Sequence, residues 1–128
     1  MAQGMKLESD PTATYVSGVR KLALSEQEMN DPNPYNTYYV PSLPVGPICN
    51  PSVAALEAAM FPDMDFMGEG YLYFCATEPT AGVLAYSKTL EEHQANVARY
   101  RPLWEEYDRQ KEEERRAAEV IETKIVDQ

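Results

Sequence analysis

Few side chains in this 128-residue chain could carry chemistry. Tyr35, Tyr38 and Tyr39 set three planar rings beside the amide of Asn36 and the hydroxyl of Thr37. That mixture grips a sugar or a peptide, and it equally builds a rigid loop packed on a core. Glu8, Glu57 and Glu69 are carboxylates of the type an acid–base step uses, but an entry segment, a mid-helix position and a Gly-flanked turn are settings for solvated charges. His93 is the single histidine, so a multi-histidine metal site is excluded. Asp63, Asp65 and Gly68 match the first, third and sixth places of a calcium loop. Met67 and Phe74, at the fifth and twelfth, offer no oxygen, so the stretch reads as an acidic turn with no metal.

The elements that must position these groups follow from proline, capping and periodicity. Pro34, Pro41, Pro44, Pro47 and Pro51 stiffen the stretch from Asn33 to Pro51, and neither a helix nor a central strand can run through it. Before it, residues 1–11 read as an extended entry, the run TATYVSGV from Thr12 as a short element limited by Gly18, and Ser25 with Glu28 as a capping box. After it, Asn50 as cap and Pro51 in the first turn predict an alanine-rich helix to Met60, with Val53, Leu56 and Met60 on one face. The runs from Tyr71 to Ala76 and from Val83 to Ser87 predict an antiparallel hairpin. Thr89 and Glu92 then open a helix whose Leu90, Val97, Tyr100, Trp104 and Tyr107 keep near-helical spacing. Pro102 either kinks that helix or starts a second one. The expected fold is α+β, a small β-hairpin packed against the alanine-rich helix and the long C-terminal helix. Residues 1–107 form one domain, and 108–128 a charged helical or frayed tail.

Composition narrows the partners. A formal net charge of −10, with only 11 Lys and Arg, repels phosphate backbones and anionic lipid, so nucleic acid is not expected as a partner. The chain has no apolar run near the ~20 residues of a membrane span and no hydrophobic leader, and as written it reads as soluble. Cys49 and Cys75 read as buried free thiols.

Several blocks in one order carry a resemblance. They are GMKLESDPT from Gly4, PYNTY from Pro34, LPVGPICNPSVAALEAAMFP from Leu43, YLYFCA from Tyr71 and YSKTLEEHQANV from Tyr86. Together they resemble the C-terminal part of the YceG-like endolytic murein transglycosylases, over about residues 4–101. The resemblance implies an enzyme class that cuts peptidoglycan glycan strands and leaves 1,6-anhydro ends. There one glutamate protonates the glycosidic oxygen and then takes the proton of the sugar's own C6 hydroxyl. In the family that glutamate lies upstream of the SDPT segment, so the resemblance assigns no catalytic residue here and implies that this chain alone is inactive. It places Asp10, Thr12, Tyr35, Asn36 and Thr37 in the glycan cleft, although Asp before Pro and Asn after an aromatic also form turns. Val83 and Leu84 stand where the family often has a Gly-His pair. An older label for such sequences, aminodeoxychorismate lyase, would need a lysine-bound pyridoxal phosphate. Lys21 and Lys88 have no setting for it, so no cofactor is expected. The implied partners are the glycan strand and cell-wall synthesis proteins, and the implied place is the outer side of a membrane to which family members are anchored. The alternative is a non-catalytic module that binds peptidoglycan or another protein.

Overall fold

The computed structural model describes residues 4–127; residues 1–3 of the expected entry segment lie outside the described residues, as does residue 128. The chain divides into two compact units, one ending at Gly70 and one beginning at Tyr71, where length alone suggests a single domain. The reason is visible in what each buries. Ala13, Ala23 and Leu24 are the buried apolar residues of the first, and Cys75 and Trp104 of the second. Each is a small cluster.

Among the described residues the first unit contains four short helices: α1 (Asp10–Thr14), α2 (Glu26–Met29), α3 (Val53–Met60) and α4 (Met64–Gly68). Pro11 stands in the first turn of α1, where its missing N–H costs nothing. This helix packs against α2 and begins two residues earlier than the sequence predicts. The capping box of α2 forms as expected: Ser25 Oγ accepts from Glu28 N at 3.2 Å, and Glu28 Oε2 accepts from Ser25 N at 2.8 Å. Lys21 completes the turn with an ion pair to Glu28 at 2.9 Å. The alanine-rich helix is present but starts at Val53, because Ser52, rather than Asn50, accepts from the Ala55 amide at 3.2 Å. No residue of α3 is buried, so the stripe of Val53, Leu56 and Met60 expected to pack lies exposed. The acidic turn at Asp63 is a turn of helix. Asp63 Oδ1 accepts from Asp65 N at 3.0 Å and from Phe66 N at 3.1 Å, and Gly70 closes the segment at φ 76°.

The second unit is the hairpin β1 (Tyr73–Ala76) and β2 (Leu84–Ser87) on the helix α5 (Leu90–Val126). Its register pairs Tyr73 with Ser87, Phe74 with Tyr86, Cys75 with Ala85 and Ala76 with Leu84. With a two-residue side-chain period, Cys75 and Ser87 are buried while Phe74, Leu84 and Tyr86 are exposed. The Thr89–Glu92 capping box fixes the start of α5. Trp104 is buried, and its indole N–H donates to the carbonyl of Thr77 at 2.9 Å, joining the helix to the end of β1. Pro102 sits inside one continuous helix. Beyond Tyr107 the charged segment stays helical, laced by Arg109 to Glu106 and Glu113, Lys111 to Glu114, and Arg115 to Glu112 and Glu119. The α+β class and the packing of the hairpin on the long helix are as the sequence predicts. None of the described helices is long and apolar enough to cross a membrane.

Candidate functional site

The candidate site is built where two segments 25 residues apart interlock. Thr12 and Thr37 face each other with their hydroxyl oxygens 2.7 Å apart. The Thr12 hydroxyl donates to the carbonyl of Ser9, so in this pair the hydrogen comes from Thr37. Thr12 Oγ1 also accepts from the Thr37 amide at 3.1 Å, while Thr37 Oγ1 accepts from the Ser9 amide at 2.9 Å. Both hydroxyl hydrogens are committed within the interlock, and with Thr12 2 % exposed and Thr37 0 %, neither presents a hydrogen to a ligand.

Asn36 is similarly enclosed, at 0 % exposure. Its side-chain amide donates to the carbonyls of Glu28 (3.3 Å), Met29 (3.1 Å) and Asp31 (2.8 Å), and its oxygen accepts from the Tyr38 amide at 3.0 Å. It ties the carbonyl end of α2 to the proline-rich stretch. Of the five residues expected at a glycan cleft, these three hold the backbone, leaving the half-buried Asp10 and Tyr35 with surface to offer.

Those two are positioned differently. Asp10 accepts the phenolic hydrogen of Tyr38. Burial, and then the Asp10 carboxylate with Glu8 beyond it, push the Tyr38 phenol well above its ordinary range, so it stays a neutral donor. Tyr35 is fixed through its own amide, which donates to Asn33 Oδ1 at 3.0 Å, and its ring lies 4.6 Å from that of Tyr15, tilted by 53°. Sequence reasoning does not pick out Tyr15, because its run reads as a short element of its own; only the tertiary fold brings the two rings together.

Glu8 is the one non-glycine residue at positive φ, 47°, among the described residues. Its amide donates to the Thr37 carbonyl at 3.4 Å, which pins this strained corner to the interlock. Glu8, Glu57 and Glu69 are all exposed, as their sequence settings predict. In the other unit, His93 stacks on Tyr73 with centroids 5.3 Å apart, and its Nδ1 and the hydroxyl of Ser87 are buried without a partner. Cys49 and Cys75 are both free, but only Cys75 is buried; Cys49 is exposed, contrary to expectation, because its proline-rich stretch runs over the surface. Burial raises the Cys75 thiol above its usual pKa. Among the described residues no group of His, Cys, Asp and Glu is placed to hold a metal ion.

Comparison with known proteins adds three findings. A model of the YceG-like family matches residues 1–99. A Bacillus subtilis protein named endolytic murein transglycosylase is 36 % identical over 96 residues, which is 75 % of this chain and 25 % of that protein. The crystal structure of a YceG-like protein from Listeria monocytogenes superposes with a TM-score of 0.62 at 38 % identity, covering 73 % of this chain and 29 % of that one. The chain therefore spans about a quarter of the length of the curated relative it matches.

Proposed function

This chain belongs to the YceG-like family, and from that premise we propose that it takes part in endolytic cleavage of peptidoglycan glycan strands as one wall of the glycan cleft. In this reading Asp10 and Tyr35 meet the strand, while Thr12, Asn36 and Thr37 are positioning residues. The observation that carries it is the interlock. Segments matching the family's SDPT and PYNTY blocks are fused by buried hydrogen bonds between Thr12, Thr37 and their backbones, and that shell holds a carboxylate and an aromatic ring at its surface. A ring supplies an apolar face for a sugar, and a carboxylate accepts hydrogen bonds from sugar hydroxyls and amides.

Among the described residues, none of the three glutamates weighed for the role is placed as a proton donor. General acid catalysis needs a carboxyl held protonated in a poorly solvated place, and Glu8, Glu57 and Glu69 all stand in solvent. Alone, the chain binds glycan strands and does not cut them, and its place of action is where peptidoglycan lies, alongside the proteins that build it. The test is binding of soluble glycan strands to the chain, compared among wild type, Tyr35→Ala, Asp10→Asn and Thr37→Ser. Weaker binding by the first two variants, with Thr37→Ser like wild type, is the expected result. Unchanged binding in Tyr35→Ala and Asp10→Asn would remove the cleft assignment.

A further inference from the structure

The alanine-rich helix and the short helix after it carry apolar side chains that the cleft reading does not use. α3 and α4 bury none of their residues. Val53, Leu56 and Met60 recur at helical spacing along one side of α3, Phe61 follows as its C-cap, and Met64 and Met67 share a side of α4. Their exposures run from 50 % at Leu56 to 76 % at Phe61, and large apolar groups left in water over so short a stretch mark an interaction surface. What borders them has one sign. Glu57 stands four residues from Val53 and three from Met60, which puts its carboxylate beside the stripe, and Asp63 and Asp65 flank Met64. All three carboxylates belong to exposed residues, and no Lys or Arg occurs between Lys21 and Lys88.

We propose that the stretch from Val53 to Met67 is a docking surface for a cationic amphipathic helix of a partner protein. The partner's apolar side chains seat on Leu56, Met60 and Met64, and its Lys and Arg side chains face Glu57, Asp63 and Asp65. The proposal uses no residue of the cleft and does not rest on that reading. Its chemistry fits the occupant at two points. Anchors at helical spacing suit a helix laid along them, and unbranched methionines adjust their rotamers to the relief of what they meet. The border then selects the sign of the occupant. A second copy docked through the same face would set these carboxylates against their own kind, and anionic lipid meets the same local repulsion, whereas a cation beside the apolar anchors gains from all three.

The test titrates the full chain with a synthetic helix of about 15 residues, built from Leu and Lys with the Leu on one face, and with a scrambled peptide of the same composition. The first should bind and the second at least tenfold more weakly. Leu56→Gln and Met60→Gln keep helix propensity but remove an apolar anchor, and each is expected to weaken binding about tenfold. Glu57→Gln should weaken it about threefold. Glu122→Gln, which removes the same charge from an exposed place near the end of α5, should bind like wild type. A wild-type chain that binds neither peptide, or both equally, would overturn the proposal, as would wild-type affinity in Leu56→Gln and Met60→Gln. Equal losses in Glu57→Gln and Glu122→Gln would reduce the attraction to net charge and overturn it too. Flotation with phosphatidylglycerol vesicles and sedimentation of the chain alone cover the other occupants: vesicle binding or a dimer, lost in Met60→Gln, would assign the face to lipid or to a second copy and overturn the partner assignment.

Discussion

The two units are built from opposite materials. The unit ending at Gly70 buries Thr12, Thr14, Asn36 and Thr37 alongside two alanines and one leucine, whereas the unit beginning at Tyr71 buries the indole of Trp104 against a hairpin. A polar interior gains little net stability per hydrogen bond, but it loses heavily when one partner is removed and the other stays buried. An aromatic interior gains from the area taken out of water. The first therefore specifies one backbone arrangement, and the second supplies bulk stability to a hairpin that would be marginal alone.

Two substitutions test that contrast. Trp104→Ala should have the largest effect, a loss of about 3–5 kcal/mol in the stability of its unit, since it removes a buried aromatic and leaves a cavity. Thermal melting followed by amide exchange at Phe74 and Tyr86 measures it, and a loss below 1 kcal/mol would show that the indole is not the anchor. Asn36→Ala should cost about 1–3 kcal/mol, because carbonyls at the end of α2 lose their donor while remaining enclosed. Thr37→Val should behave alike, and Thr37→Ser should stay near wild type. Amide exchange at Thr37 and Tyr38 reads these effects, and a stable Asn36→Ala would return that amide to the surface.

These outcomes bear on how much the residues announce in advance. Local signals are legible: both capping boxes, the hairpin and the start of α5 stand where Ser25 with Glu28, the apolar runs, and Thr89 with Glu92 put them. The order of motif blocks is legible too, and with it the family. What is not legible is the destination of a polar side chain. Thr12 and Thr37 look alike whether they face solvent or each other, and Asn36 shows no sign that three carbonyls will claim its amide. Choices between neighbouring caps, Ser52 over Asn50, are equally hidden, because both residues carry a suitable oxygen. Hydrogen-bond partners distant in sequence decide which candidate site residues keep a surface.

A smaller effect sharpens the same comparison through pH. Glu28 is held below its ordinary pKa: burial raises it, but bonds from the Ser25 backbone, Lys21 and the Ser25 hydroxyl outweigh burial. A lowered folded-state pKa contributes stability that is present above the unfolded value, near 4.5, and is lost as pH falls through the folded one. Exchange at the α2 amides should rise as pH drops below that value, after correction for the intrinsic rate. In Glu28→Gln this acid-dependent rise should disappear, and its persistence would assign it to another carboxylate.

As proposed above, the described residues offer a glycan strand a wall without a proton donor. Incubating the purified 128-residue chain with isolated peptidoglycan and examining the products by mass spectrometry for 1,6-anhydro ends tests it most directly. None is expected above the untreated material. Accumulation of such ends, abolished by changing Glu8, Glu57 or Glu69 to Gln, would contradict it and make one of those exposed carboxylates the acid.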